Sequence, residues 1–358
     1  MGATWDHDGF RNRVQGALDD FLDEQAERLR PLGPDAARLV AEARTSVAGG
    51  KRFRASFCWW GHLAVAPPAD SDALVRACAS LELLHASALV HDDYMDASDS
   101  RRGRPSTHRA FEGEHRRAGW RGDPEQYGAA GAILLGDLLL AWSDELLRRC
   151  GLPLATVAPA LEVFDLCRTE VVAGQFLDVS AQARGHADVD TAMTVLRYKS
   201  AKYSIERPLH LGAALAGATA GTLGELSAFG LPLGEAFQLR DDLLGVFGDP
   251  ATTGKPAGDD LVEGKRTVLV ALALKASPPA DADLLDRSLG QPLTVDQVAA
   301  LRTIIASSGA EQQVEKTITE LADQGLTSLD DAKSAGVLDA NAAEVLRALA
   351  TAATQRTV

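Results

Sequence analysis

The pattern of hydrophobic and polar positions is helical along nearly the whole chain. Apolar residues recur at intervals of three and four, alanine and leucine dominate, and strand-like alternation of β-branched residues is scarce. There is no fixed repeat, no β–α–β alternation and no long polar linker. The pattern therefore predicts an all-α fold in which residues 1–358 form a single large helical bundle with a central cavity between helices. The segments predicted as helices are 8–30, 34–48, 53–65, 70–96, 127–150, 154–179, 188–216, 219–247, 260–276, 294–307, 309–326 and 339–354.

Two long segments interrupt the helical pattern. Residues 97–127 carry many arginines, and residues 248–264 are rich in glycine, proline and aspartate. Long loops without secondary structure of their own often lie at the mouth of a functional site. We expect both segments to be such loops, with residues 116–122 forming a solvated connection.

Composition narrows the class of protein. The 358 residues carry a net charge of −14 and a pI near 5.0, which argues against nucleic acid or an anionic membrane surface as the main partner. The N-terminal segment is charged and lacks the apolar core of a signal peptide. No apolar run is expected to reach the ~18 residues that a membrane-spanning helix needs. We therefore expect a soluble cytoplasmic protein without stable membrane insertion.

Two aspartate clusters lie inside apolar helical segments. Asp92 and Asp96 are four residues apart and share a helix face, whereas Asp93 lies about 100° round from Asp92. The second cluster is Asp241 and Asp242. Ionised carboxylates in such surroundings need a compensating cation. Because the ligands are hard oxygens without cysteine or clustered histidine, the pattern indicates Mg2+ rather than zinc.

The second cluster offers fewer carboxylates than the first. Gln238 precedes Asp241 by three residues and Asp242 by four, so the three side chains can meet on one helix. Position 245, where an aspartate would repeat the spacing of the first cluster, is glycine. This half of the site is therefore expected to supply two carboxylates rather than three.

Basic residues around both clusters indicate a polyanionic substrate, most simply a diphosphate. The segment GGKRFR is typical of a loop that enters a helix, and Lys51 and Arg54 then face one way on its first turn. His85 lies two turns before the first aspartate on the same face and is favoured over His91 as a ligand-contacting group. The basic residues concerned are Lys51, Arg52, Arg54, Arg101, Arg102, Lys199, Lys255 and Lys265.

The motifs together resemble those of one family. LLHASALVHDDYMDASDSRRGRPSTH resembles the first aspartate-rich region of the trans-isoprenyl diphosphate synthases, the polyprenyl synthetase family, and in particular of bacterial geranylgeranyl-diphosphate-synthase-like members. The segments GGKRFR, GQFLDV, YKSAKY, FQLRDDLLGVFGD and GKPAGDDLVEGKRT resemble its other motifs in the expected order. The resemblance is close over residues 45–275 and looser in the C-terminal helices.

The resemblance implies a fold, a cofactor and a reaction. The fold is an all-α bundle around a deep cavity, usually a homodimer, with three Mg2+ ions per active site. An allylic diphosphate ionises, isopentenyl diphosphate attacks the cation head to tail, a proton is lost and diphosphate departs. The expected product is a linear trans-polyprenyl diphosphate, geranylgeranyl diphosphate or somewhat longer.

The resemblance also implies roles for individual residues. Those that match the isopentenyl diphosphate site are Lys51, Arg54, His85 and Arg102. Those that match the metal ligands are Asp92, Asp96 and Asp241, with Asp93 and Asp242 in support. Those that match the allylic diphosphate site are Arg101, Lys199, Lys255 and Lys265. Those expected near the carbocation as catalytic residues are Lys199, Ser200 (where threonine is usual) and Gln238.

Product length is expected to depend on the turn of helix before the first aspartate motif. In the family, bulky aromatic residues four and five positions before the first aspartate close the pocket at farnesyl diphosphate. Here these positions are Ala88 and Ser87, both small, and the next turn presents Leu84. The sequence therefore predicts an open pocket and a product longer than farnesyl diphosphate, with a farnesyl diphosphate synthase as the alternative.

Two further functions share part of the pattern. A class I terpene cyclase would share the fold and the first motif but has no reason to keep Lys51, Arg54 and His85. A regulatory subunit of a heteromeric synthase would typically have lost an aspartate motif, and only Gly245 argues for such a loss.

Overall fold

Helices make up nearly all of the structure, which confirms the predicted all-α fold class. The computed structural model describes residues 5–186, 188–249 and 258–355. Within these ranges the strands are β1 (Ser100–Arg101) and β2 (Arg104–Pro105), which pair as an antiparallel hairpin. A 3-10 turn (Arg30–Leu32) follows α1, and a π-helix (Arg197–Glu206) joins α8 to α9. The α-helices are α1 (His7–Leu29), α2 (Pro34–Val47), α3 (Phe53–Leu63), α4 (Ser71–Met95), α5 (Thr107–Ala118), α6 (Pro124–Arg148), α7 (Leu154–Arg184), α8 (Val189–Leu196), α9 (Arg207–Leu215), α10 (Ala220–Phe247), α11 (Asp259–Glu263), α12 (Val268–Ala276), α13 (Pro279–Ser288), α14 (Val295–Ser307), α15 (Ala310–Ser334) and α16 (Ala340–Thr354).

Residues 97–127 are not the loop that the sequence predicts. They form the β1–β2 hairpin and then α5, which follows Ser106 and ends at Gly119 in the left-handed conformation. Periodicity does not reveal α5 because its buried face is mostly polar. Packing against α6 stabilises the helix instead. The buried residues of α5 are Thr107, His108, Phe111, Glu112 and His115.

The predicted helix over 260–276 is also wrong. Gly264, with φ +79°, ends α11, and α12 begins only at Val268. Helix α11 lies at the end of the predicted loop 248–264, of which residues 250–257 are outside the described ranges. Helix α13 has no counterpart in the prediction, because Leu285 is its one buried residue and gives no periodic signal.

The predicted helix 188–216 consists of three helical segments, of which the first and the last are α-helices. Between α8 and α9 the chain adopts a π-helix, a form that is rare and often marks a functional site. Two glycines allow its neighbours to approach it closely. A Cβ on Gly174 of α7 would lie 2.3 Å from the backbone nitrogen of Lys199, and one on Gly234 of α10 would lie 2.6 Å from the Ala201 carbonyl oxygen. Helices α7 and α10 therefore both hold the π-helix at backbone distance.

The chain packs as two compact units. Unit 1 comprises residues 1–161 and 211–217, and unit 2 comprises residues 162–210 and 218–358. The predicted single domain over the whole chain stays a prediction.

Helix α4 is the central helix of unit 1. It packs against α1, α2, α3, α5 and α6 and is buried on most of its faces by alanine, leucine and valine side chains. A helix that is apolar nearly all round belongs in a core. The few polar side chains of α4, among them Glu82 and His85, therefore need specific partners.

Helix α10 has the corresponding place in unit 2. It packs against α15, α16, α11 and the π-helix, and Ala236, Leu239 and Leu243 join it to the core formed with α12, α14 and α15. Each unit thus carries its aspartate motif near the C-terminal end of its central helix.

Helix α4 is long and apolar enough to cross a membrane, with a mean hydropathy of 1.4 over its most apolar window. The expectation that no apolar run reaches that length is therefore wrong. However, 78% of that window is buried inside the structure, as in the core helix of a soluble protein.

Candidate active site

The first aspartate motif lies at the C-terminal end of α4. The helix ends at Met95, and the backbone N–H of Asp96 donates to the Asp92 carbonyl oxygen at 2.8 Å. The partial negative charge at a helix C-terminus opposes carboxylates there by about 0.3–1 kcal/mol each. Three aspartates in this place work against the stability of the helix, which is the arrangement expected of a cation site.

Asp93 connects the motif to the hairpin. It is 4% exposed, and its Oδ1 accepts a hydrogen bond from Arg101 Nε at 2.8 Å and a second one from Arg101 Nη2. Arg101 Nη2 also lies 3.9 Å from Asp92 Oδ2. Asp93 therefore orients Arg101, while Asp92 and Asp96 lie on the partly exposed side of the helix.

Basic side chains converge on His85. Burial and, after it, the charges of Arg54, Arg102, Arg101 and Arg52 hold the pKa of His85 well below its usual range. The imidazole is therefore neutral near pH 7. An anion that entered this cluster would meet several guanidinium groups at once. The structure thus brings together three of the residues predicted for isopentenyl diphosphate, and the fourth, Lys51, is exposed on the loop before α3.

The β1–β2 hairpin presents Arg102 at its tip. Arg102 and Gly103 have φ values of +52° and +72°, the left-handed pair typical of a tight two-residue turn. Arg102 Nη1 donates to the Ala48 carbonyl oxygen at 3.1 Å, and a Cβ on Gly50 would lie 3.5 Å from Arg102 Nη2. The hairpin and the loop before α3 therefore meet at this guanidinium group.

The second aspartate motif lies on α10. Gln238 Nε2 donates to Asp242 Oδ1 at 2.8 Å, as their spacing predicts. Asp242 is 8% exposed. Burial, reinforced by the charges of Asp260 and Asp241 and opposed by the bond from Gln238, raises the pKa of Asp242 to about 7. A carboxyl group in this state is stabilised in its ionised form by a bound cation.

Asp260 of α11 is a site residue that the sequence analysis missed. A Cβ on Gly245 would lie 1.9 Å from Asp260 Oδ2, so this carboxylate stands where a third aspartate of the motif would begin. Asp260 Oδ1 also accepts from Lys265 Nζ at 3.2 Å, and Lys265 pairs with Glu263 at 2.5 Å. The signal in the sequence is the acidic pair of GDDL, but its separation from the motif along the chain conceals the contact.

Lys199 pairs with an aspartate of the GQFLDV segment. Its Nζ lies 2.5 Å from Oδ2 of Asp178, a residue that is only 6% exposed. Ser200 follows in the π-helix and is partly buried. Lys255, also predicted for the allylic diphosphate, lies outside the described residues.

The residues predicted to control product length differ in their surroundings. Ser87 is 2% exposed, and its hydroxyl donates to the Gly136 carbonyl oxygen of α6 at 2.7 Å. Leu84 is also buried. Ala88 is partly exposed and is three residues from His85, so it lies on the face of the predicted substrate residues.

The available donors fit Mg2+. Both motifs offer carboxylate oxygens, the ligands that this ion prefers. In the described parts of the chain, no three His, Cys, Asp or Glu side chains form a complete metal-binding group. Protein sites usually hold Mg2+ through one or two carboxylates together with substrate phosphates and water.

Comparison with known proteins identifies the same family that the sequence motifs resemble. The family model for polyprenyl synthetase matches residues 37–305. The (2E,6E)-farnesyl diphosphate synthase of Mycobacterium tuberculosis is 30% identical over 323 residues, which cover 89% of this chain and 80% of the relative. The geranylgeranyl diphosphate synthase of the same organism is 32% identical over 295 residues, covering 81% and 78%. The crystal structure of geranylgeranyl pyrophosphate synthase from Corynebacterium glutamicum, complexed with isoprenyl diphosphate and magnesium, superposes with a TM-score of 0.95 at 41% identity and covers 99% of this chain and 100% of that one.

Proposed function

The chain belongs to the polyprenyl synthetase family, and from that premise we propose that it is a Mg2+-dependent prenyltransferase that condenses isopentenyl diphosphate head to tail with an allylic diphosphate. The product is a linear trans-polyprenyl diphosphate. One observation carries the proposal: Arg54 and Arg102 lie close to His85, which is on the helix that bears the first aspartate motif. A prenyltransferase needs such an anion site for a second diphosphate, whereas a terpene cyclase does not.

The proposed metal ligands are Asp92, Asp96 and Asp241, with Asp93 and Asp242 in support and three Mg2+ ions per active site. When bound, Mg2+ neutralises the negative charge that develops on the departing diphosphate. The helix-end position of the first motif and the raised pKa of Asp242 support this assignment. The magnesium in the C. glutamicum relative supports it independently.

The side chains of this protein bind and orient the two substrates. Lys51, Arg54 and Arg102 hold isopentenyl diphosphate, and the imidazole of His85 donates a hydrogen bond to it. Lys199 stabilises the charge on the allylic diphosphate as its carbon–oxygen bond breaks, and it exchanges Asp178 for a phosphate oxygen in doing so. The other residues proposed for the allylic diphosphate are Arg101, Lys255 and Lys265.

The carbocation is stabilised by neutral oxygens. The Ser200 hydroxyl and the Gln238 side-chain oxygen are proposed to face it, while apolar side chains exclude water that would otherwise capture it. The double-bond electrons of isopentenyl diphosphate form the new carbon–carbon bond. The proton lost in the last step passes to the released diphosphate, the base that is already beside the cation.

We propose geranylgeranyl diphosphate, or a somewhat longer chain, as the product. Ala88 is small, partly exposed and on the face of His85, so it leaves room for a tail along α4. Ala88→Phe should therefore shorten the product, which chromatography of the dephosphorylated chains would show. Ser87→Ala, which removes a hydroxyl that faces α6, is the matched control and should leave the length unchanged. An unchanged product from Ala88→Phe would place the tail elsewhere.

We also propose a cytoplasmic homodimer. The net charge of −14 disfavours an anionic membrane surface. Helix α7 exposes large apolar side chains that another copy of the chain could cover.

A single assay separates the candidate functions. The purified chain is incubated with labelled isopentenyl diphosphate, Mg2+ and geranyl or farnesyl diphosphate in turn, and the products are separated by length. Label in an elongated diphosphate supports the proposal. A cyclic hydrocarbon from the allylic substrate alone would indicate a terpene cyclase, and no turnover without a second protein would indicate a regulatory subunit.

A further inference from the structure

Arg52 has a backbone conformation that its side chain does not favour. Its φ and ψ are +54° and +37°, the left-handed region, and it is the N-cap of α3. For a residue other than glycine this conformation is unfavourable, because Cβ comes close to the following carbonyl oxygen. Arg52 stands between Lys51 and Arg54, the residues proposed for isopentenyl diphosphate, but is itself 6% exposed. It is therefore a buried residue inside a substrate-binding segment.

The guanidinium group of Arg52 makes three hydrogen bonds inside unit 1. Nη1 donates to Glu82 Oε2 at 3.0 Å, and Nη2 donates to Gln15 Oε1 and to the Val47 carbonyl oxygen, both at 2.6 Å. These acceptors belong to α4, α1 and α2. One side chain thus ties the loop between α2 and α3 to three helices.

Glu82 of α4 contacts both Arg52 and the first turn of α3. Its side chain is 5% exposed, and its Oε1 accepts a hydrogen bond from the Ala55 backbone N–H at 3.3 Å. The Arg52 side chain makes no cap bond, so Glu82 caps the first turn of α3 from a different helix. Glu82 is also three residues before His85 on α4, so the two share a helix face.

Stability alone does not explain this pair. A buried ion pair loses about as much in desolvation as it gains in attraction, and apolar residues of similar volume often serve stability as well or better. The left-handed backbone at Arg52 adds a further cost that a glycine would avoid. The contacts of the pair instead determine where the loop turns and where α3 begins, which sets the positions of Lys51 and Arg54.

We propose that Arg52 and Glu82 are positioning residues for the isopentenyl diphosphate site. The inference rests on the proposed function. Arg52 and Glu82 touch neither substrate; they fix the loop and the first turn of α3 so that Lys51 and Arg54 reach the diphosphate together with His85. Loss of the pair should weaken isopentenyl diphosphate selectively.

The test uses two variants and a control. Arg52→Gly keeps the left-handed backbone and removes the guanidinium group, whereas Glu82→Gln keeps the shape and a cap acceptor but removes the charge. Arg52→Gly loses three hydrogen bonds of the guanidinium group, and Glu82→Gln removes the charge of the acceptor in one of them, so we expect the KM for isopentenyl diphosphate to rise about tenfold or more. The KM for the allylic diphosphate and kcat should change less than about threefold. Leu22→Ala, a buried core residue of α1, is the stability control and should lower Tm without changing either KM.

A conservative substitution sharpens the result. Arg52→Lys keeps one positive charge but cannot serve three acceptors, so its KM for isopentenyl diphosphate should fall between those of the wild type and Arg52→Gly. Equal rises in both KM values, or a lower Tm with both KM values unchanged, would overturn the inference, since either result describes a merely structural pair.

A direct binding measurement tests this inference separately from the proposed function. Calorimetry with isopentenyl diphosphate alone requires no turnover. If the wild type binds it and both variants bind it equally well, the inference is wrong and the proposed function stands. If the wild type does not bind it, the proposed function fails and the inference falls with it.

Discussion

His85 shows how one side chain acquires its chemistry from its surroundings. It lies on an apolar helix, where burial and the nearby arginines disfavour the imidazolium form. In the absence of substrate, a neutral imidazole adds no further positive charge to the surrounding arginines. A bound diphosphate would offset the arginine charges and favour protonation of the ring.

The first prediction concerns the pH dependence of isopentenyl diphosphate binding. The pKa of His85 is lowered in the free protein, so an anion that raises it must bind with proton uptake. The affinity should therefore increase as the pH falls below the usual histidine pKa of about 6.5, toward the lowered pKa of His85 in the free protein. His85→Gln, which remains neutral, should lose that part of the dependence. Calorimetry on both proteins at each pH cancels the protonation of the ligand itself, and identical pH profiles would contradict the assignment.

At the scale of elements, the lack of a side chain at Gly245 of α10 allows α11 to pack closely against it. Gly245 leaves room for the carboxylate of Asp260, which a Cβ would meet at 1.9 Å. Asp260 is in turn tied to Lys265, and its charge contributes to the raised pKa of Asp242. The glycine that the sequence analysis interprets as the loss of an aspartate is therefore also a packing requirement.

The second prediction compares two glycines of the same helix. Gly245→Ala should lower the free energy of unfolding by about 1–3 kcal/mol, because its methyl group must displace the Asp260 carboxylate. Gly224→Ala has open space around its Cβ and should be neutral or stabilising by up to about 1 kcal/mol, since alanine favours the helix. Urea unfolding of the two variants measures both. Similar stabilities would show that α11 moves away without cost.

Elements also show what a sequence can and cannot predict. Helix α4 and its aspartates follow from apolar periodicity and spacing, which are local properties. Helix α5 does not follow from these local properties. It is stabilised by packing against α6, and its buried face includes the polar residues Glu112 and His115. The contacts of Asp260 with Gly245 and of Glu82 with Arg52 join residues that are distant in the chain. No pattern in a single sequence specifies such pairs.

At the scale of the whole molecule, α7 is unusually apolar where it meets solvent. Val172, Phe176 and Val179 follow one another at helical spacing and are 61%, 71% and 36% exposed. Leu166 and Leu177 widen the patch. A contiguous apolar surface on a chain of high net charge is typical of an interface between subunits.

The third prediction concerns the oligomeric state. Phe176→Asp should convert the proposed dimer into a monomer, because burial of a carboxylate in an apolar interface is strongly unfavourable. Val295→Asp is the control, since Val295 on α14 is 86% exposed and its substitution should leave the dimer intact. Light scattering coupled to size exclusion measures the mass of each variant. A dimer that survives Phe176→Asp would exclude this face as the interface.

The most direct test of the account is a kinetic comparison of Lys51→Ala with Lys199→Ala. The central claim is that Lys51, Arg54 and Arg102 bind isopentenyl diphosphate, while Lys199 binds the allylic diphosphate. Steady-state rates with Mg2+ and each substrate varied in turn should show a raised KM for isopentenyl diphosphate in Lys51→Ala and a raised KM for the allylic substrate in Lys199→Ala. Each change should be about tenfold, the loss of one charge-assisted contact to phosphate. Equal effects of both variants on both substrates would contradict the claim.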